Sequence, residues 1–169
     1  MLRMAATLAL LAPTAVQAST LCNATETVLF SCTAGVRILS ICGARDLNTI
    51  QYRFGKPGHI DLAIPADGTK ADTTAGTLMY SGGGGAWMRF TNGAYHYTVF
   101  TAVGKWGPNE SPASAAGVAV DKEGAPVSNL PCTTPEQSQL GPDLFDAAHI
   151  ATDPTPDGFE IPDAFLPNN

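Results

Sequence analysis

The sequence predicts an all-β protein: a single small antiparallel barrel or sandwich of about eight to nine short strands, held by two disulfides and followed by a disordered C-terminal tail. Three observations predict it. Apolar and polar residues alternate along most of the stretch from Cys22 to Cys132, so that each segment has one buried and one wet face. Turn residues separate these runs at short intervals. No window carries the helical period with caps that a stable helix needs.

The chain opens with Arg3, an apolar segment from Met4 to Leu11, and Val16-Gln17-Ala18 before Ser19. Small residues at the last position and two before it suit a signal peptidase, so residues 1–18 read as a cleaved signal peptide. A membrane helix needs about 20 apolar residues. This stretch is shorter, and Pro13 interrupts it. The expected location is periplasmic or secreted, with no membrane span after cleavage. Cysteines at 22, 32, 42 and 132 then form an even set in an oxidising compartment, which implies two disulfides. No C-x-x-C pair offers two thiolates to one zinc ion, so no metal and no cofactor is expected.

Residues 19–132 form the β domain. Thr27 to Cys32 and Val36 to Cys42 are β-branched runs around Thr33-Ala34-Gly35, a hairpin spacing. Ile50, Tyr52 and Phe54 alternate with Gln51 and Arg53; Ile60, Leu62 and Ile64 alternate with His59, Asp61 and Ala63. Gly55-Lys56-Pro57-Gly58 between them is a turn by composition. Further strands are expected near 77–81, 86–91, 94–101, 117–121 and 126–131, with long loops only at 66–75 and 104–116. On this wet face Arg53 is expected to pair with Asp61 across the strands. His59 and Asp61 share a face and offer a base with its orienter, half a metal site, or ordinary exposed strand residues.

Tyr80 to Phe100 begins with Ser81 and four glycines and continues as Ala86-Trp-Met-Arg-Phe90. A phosphate-binding loop needs a helix after its glycines. A strand follows here, so the glycines are expected to connect strands mechanically. Asn92-Gly93 suggests a type I′ hairpin in which Arg89 faces His96 and Trp87 faces Thr98. Ala86, Met88, Phe90, Tyr95, Tyr97 and Val99 then share the core face. Trp87, Arg89, Thr91, His96, Thr98 and Phe100 share the other. Two large aromatics with a cation and an imidazole are typical of a binding patch, or of a surface that a loop or the tail must cover. The candidate binding residues are Trp87, Arg89, His96, Phe100 and Trp106.

Charge divides the chain. The stretch from Cys22 to Cys132 balances its acids and bases, whereas residues 133–169 hold seven acids, six prolines and no Lys or Arg. Such a tail is expected to be mostly disordered, although Leu144-Phe145 with Ile150, and Phe159 through Phe165-Leu166, are apolar clusters that could dock. A neutral core with an acidic tail lacks the clustered Lys and Arg that nucleic-acid binding needs.

Strand counting suggests the disulfide pairing. With the first strand running upward, its hairpin turn places Cys32 at the top. Cys42 then returns to the bottom, where Cys22 precedes the first strand. Continued up-and-down, the ninth strand delivers Cys132 to the top, near Cys32. The expected bridges are Cys22–Cys42 and Cys32–Cys132.

The succession Glu26-Thr-Val-Leu-Phe-Ser-Cys32, Ser40-Ile-Cys42, Gln51-Tyr-Arg-Phe-Gly55, Ser81-Gly-Gly-Gly-Gly-Ala-Trp87, Arg89-Phe90 and Gly104-Lys-Trp-Gly107, with Cys22 and Cys132, resembles small exported four-cysteine proteins of Gram-negative bacteria, a group to which no activity is attached. A second resemblance, in layout, is to periplasmic lysozyme inhibitors: Phe30-Ser31-Cys32 opens a hairpin, and a Ser/Gly-rich segment precedes an aromatic-basic strand at 81–90. It implies a role for Arg89 near a target's carboxylates, but the fuller serine and lysine motifs of those inhibitors are not matched. No serine lies in a G-x-S-x-G elbow. Two function classes follow: a non-enzymatic exported protein that binds a protein or glycan partner in the cell envelope, in one form an inhibitor of a cell-wall hydrolase; or a small secreted hydrolase or carbohydrate-binding module.

Overall fold

The computed structural model describes residues 19–65, 68–70, 72–80, 82–153 and 158–167. The signal-peptide expectation concerns 1–18 and lies outside them. Eleven strands form two sheets among the described residues: β1 (Thr27–Ala34), β2 (Arg37–Gly43), β3 (Ile50–Lys56), β4 (His59–Ile64), β5 (Thr73–Tyr80), β6 (Gly83–Asn92), β7 (Tyr95–Gly104), β8 (Ala113–Lys122), β9 (Ala125–Pro131), β10 (Gln137–Ser138) and β11 (Ala151–Thr152). The first sheet has the order β10-β1-β2-β3-β4 and the second β11-β5-β6-β7-β8-β9. All pairings are antiparallel except β11 on β5. The fold is all-β, and of the two expected forms it is the two-sheet one.

The nine expected strands are β1 to β9. β5 starts at Thr73 and β8 at Ala113, each four residues before its expected start, so both long loops are shorter than composition suggests. Alternation places the core correctly except at the strand ends, where Ile60 and Tyr95, expected on buried faces, are 44% and 37% exposed because each lies beside a hairpin turn, beyond the reach of the facing sheet. Leu29, Leu39, Ile41, Ile50, Tyr52 and Ile64 from one sheet meet Met88, Phe90, Val99 and Val118 from the other in a single cluster. At about 25 cal/mol per Å² of buried apolar area, this cluster is the main stabilising element of the domain.

The β6–β7 turn differs from its expected form. Asn92 pairs with Tyr95, Arg89 with Thr98 and Trp87 with Phe100, so the two loop residues are Gly93 and Ala94. Only Gly93 takes positive φ, at 60°. The register therefore slips by two residues, and a slip of two leaves every side chain on its expected face. Both disulfides are as strand counting suggests, Cys22–Cys42 and Cys32–Cys132.

The segment after Cys132 departs from its expected disorder over its described residues. β10 lies against β1. A short helix, α1 (Pro142–Ala147), follows, with Pro142 suited to the first turn. It inserts Leu144 and Phe145 into the main core, joined by Ala148 and Ile150. β11 then borders β5, and 158–167 crosses the outer face of the second sheet with a 3-10 turn at Asp163–Phe165. Negative composition does not prevent this, because the acids alternate with apolar residues that carry the docking.

Candidate functional site

The outer face of the second sheet is the place where the sequence expects a site. Its rows follow from the register: Gly76–Trp87–Phe100–Gly117, then Arg89–Thr98–Ala119, then His96–Asp121, with Ala102 and Ala115 on the other side of the aromatic row. Two large rings thus stand among small residues. A Cβ on Gly76 would lie 2.6 Å from the Trp87 ring, and one on Gly117 would lie 2.7 Å from the Phe165 ring. The small side chains of β5 and β8 make the depression that aromatic rings fill.

The face is occupied. Phe159 sits 6.1 Å from Trp87 and 5.4 Å from Phe100, while Phe165 meets Phe100 edge-on at 4.8 Å. Ile161 and Leu166 complete a second apolar cluster with Leu78, Ala102 and Ala115. Trp87 and Phe100 are buried, at 2% and 0% exposure. The expected patch is therefore the seat of the chain's own C-terminal segment. Arg89 joins the two: its guanidinium lies 4.9 Å from the Trp87 ring centroid, Nε donates to the Thr98 hydroxyl at 3.0 Å, and Nη2 donates to the Gly158 carbonyl at 2.7 Å.

The other two expected residues flank this seat. His96 Nδ1 bonds Asp121 Oδ1 at 2.9 Å. Partial burial raises the Asp121 carboxyl, but the His96 hydrogen bond, the Gly124 amide and the nearby His96 and Arg89 charges outweigh it and hold the group below the usual aspartate range. Trp106 packs over Gly104 and meets Tyr80 edge-on at 5.5 Å. Beside that pair Met79 is 91% exposed and Val103 44%, an apolar rim at the end of the sheet.

The glycines act as connectors. Gly82 takes φ +81° in the turn, and Gly83, Gly84 and Gly85 are already inside β6. A Cβ on Gly83 would strike the Val103 carbonyl, and one on Gly85 the Thr101 carbonyl. Close backbone approach excludes side chains there.

The first sheet has a covered outer face too. Residues 19–26 lie across it, with Leu21 N donating to Ser40 Oγ at 3.0 Å and Ser31 Oγ donating to Ser19 O at 2.9 Å. Arg53 does not pair with Asp61. Its guanidinium reaches Glu26 in a bidentate pair at 2.7 Å for both bonds and donates to Leu21 O at 3.0 Å. Asp61 instead pairs with Arg37. His59 Nε2 lies 3.3 Å from Asp61 Oδ1, so the structure brings these two together, but Arg37 shares the carboxylate. A cavity of about 410 Å³ separates His59 and Ile60 from Leu21 and Asn23. The Thr20 hydroxyl on its wall is engaged by the Cys22 amide. Among the described residues, one cluster has metal-ligating side chains within reach, Cys22, Glu26 and Cys42. Its two sulfurs are joined to each other and offer no thiolate.

The sequence reading missed the floor of the seat. Alternating small residues Ala113, Ala115, Gly117 and Ala119 leave room for a large group above a strand, and that pattern was legible. Comparisons with protein-family models, curated proteins and solved structures give no match.

Proposed function

We propose that this chain is an exported, non-enzymatic binding protein of the cell envelope, reading a protein partner through the outer face of the second sheet. The observation that carries the reading is that this face holds an extended chain segment by aromatic contacts and an arginine-to-carbonyl bond. Two disulfides accord with an oxidising, extracytoplasmic compartment. Buried aromatic and arginine anchors are the usual energetic centres of an interface. Inhibition of a cell-wall hydrolase is the specific role we favour for such a protein, in keeping with the resemblance in sequence layout to lysozyme inhibitors. The half-buried Trp106, paired with Tyr80 at the sheet end beside exposed Met79, supports a second reading, a carbohydrate-binding module, since aromatic faces stack on sugars.

Affinity capture from periplasmic extract separates the two. A stoichiometric protein partner that is lost with Arg89→Ala supports the first reading. Retention on isolated peptidoglycan, lost with Trp106→Ala, supports the second. Absence of both overturns the binding assignment.

A further inference from the structure

From the seat of the C-terminal segment we infer that the outer face of the second sheet is a peptide-binding groove whose ligand is an extended segment bearing two aromatic side chains six residues apart, and that residues 158–167 occupy it in cis. The inference rests on the binding reading above and specifies its partner. Three observations carry it. The contacts that hold Phe159 and Phe165 are side-chain pockets: the gap between Trp87 and Phe100, and the depression over Gly117. Arg89 fixes the Gly158 main chain through its carbonyl, a contact that any residue can supply. Finally, 158–167 makes no strand pairing with the sheet it covers, so side-chain contacts, those of Ile161 and Leu166 included, and that main-chain bond hold the occupant.

A segment tethered to its own groove competes at an effective concentration on the order of millimolar. The intact chain is therefore a closed form, and a free ligand must displace the segment.

The test uses a fluorescein-labelled peptide of sequence GFEIPDAFLP and the full chain carrying Phe159→Ala and Phe165→Ala. The variant is expected to bind the peptide saturably in fluorescence anisotropy, and the unaltered chain to bind it about 100-fold more weakly because of the tethered competitor. A peptide with both phenylalanines replaced by alanine is expected not to bind, and adding Arg89→Ala to the variant is expected to weaken binding about tenfold, the loss of one charge-assisted hydrogen bond. A folded variant that fails to bind overturns the inference. Should the variant not fold, the unaltered chain is mixed with a photoreactive form of the peptide at high concentration. Crosslinks on β6 to β9 uphold the groove; crosslinks on the first sheet, or none, overturn it. Failure of envelope capture with intact peptide binding would reject the partner reading and leave the groove standing.

Discussion

Arg53 lies on the outer face of the first sheet, yet only 7% of it meets water. Its partner Glu26 precedes β1 in a segment that folds back over the sheet, and strand alternation carries no information on which loop covers a wet face. That is why Asp61, close in the strand pattern, was the expected partner and the wrong one. Partial burial raises the Glu26 carboxyl, but the Arg53 hydrogen bonds, the Asn23 amide and the Arg53 charge outweigh it and keep the group below the ordinary glutamate range. A carboxyl depressed in the folded state adds stability above its unfolded pKa, and this is lost as pH falls through the folded value. Glu26→Gln is therefore expected to destabilise at pH 7 by about 3 kcal/mol, the usual cost of leaving a buried charge unpaired, and to flatten the acid side of the stability profile. Urea unfolding of both proteins between neutral and acid pH checks both outcomes.

Element existence was legible wherever alternation is strong, as in Ile50 to Phe54 and Ala86 to Phe90, because period two is a direct imprint of a half-buried strand. Starts were not legible where the residues are small. Thr73-Thr-Ala-Gly76 and Ala113-Ser-Ala-Ala116 carry little hydrophobic contrast, so their pairing is set by neighbouring strands. Helix α1 has six residues, fewer than two turns, too few to display a helical period. The β6–β7 turn shows which part of a turn signal is robust: Gly93 needs positive φ in the observed turn as in the expected one, while the identity of the second loop residue shifts the register by two. Gly93→Val is expected to cost about 1–3 kcal/mol, since a β-branched residue is strained there. A thermal melt equal to that of the unaltered protein would contradict this turn.

At the scale of the whole molecule, both outer faces are covered by the ends of the described chain, residues 19–26 on one sheet and 158–167 on the other. The composition of residues 133–169 concealed this, since net charge and proline content average over Leu144, Phe145, Phe159 and Phe165, which do the docking. One consequence is that Trp87 is structural as well as a candidate contact: Trp87→Ala is expected to destabilise by about 3–5 kcal/mol, measured by denaturant unfolding, so Arg89→Ala is the cleaner probe of binding. The two disulfides should differ in weight. Cys32–Cys132 spans 100 residues and Cys22–Cys42 spans 20. In the chain-entropy model the first is worth about 5 kcal/mol and the second about 3. Replacing Cys32 and Cys132 by serine is thus expected to lower the urea midpoint more than replacing Cys22 and Cys42.

The two bridges interleave, first cysteine to third and second to fourth, and this bears on biogenesis. A chain emerging from its N-terminus into an oxidant presents Cys22 and Cys32 before either native partner. Their premature bond is the wrong one, and correcting it needs thiol–disulfide exchange through a mixed disulfide. In a full-length reduced chain the shortest loops, Cys22–Cys32 and Cys32–Cys42, close most readily, so refolding with oxidant alone should accumulate both non-native bonds, and a glutathione redox buffer should recover the native pairing over the minutes to hours that reshuffling takes.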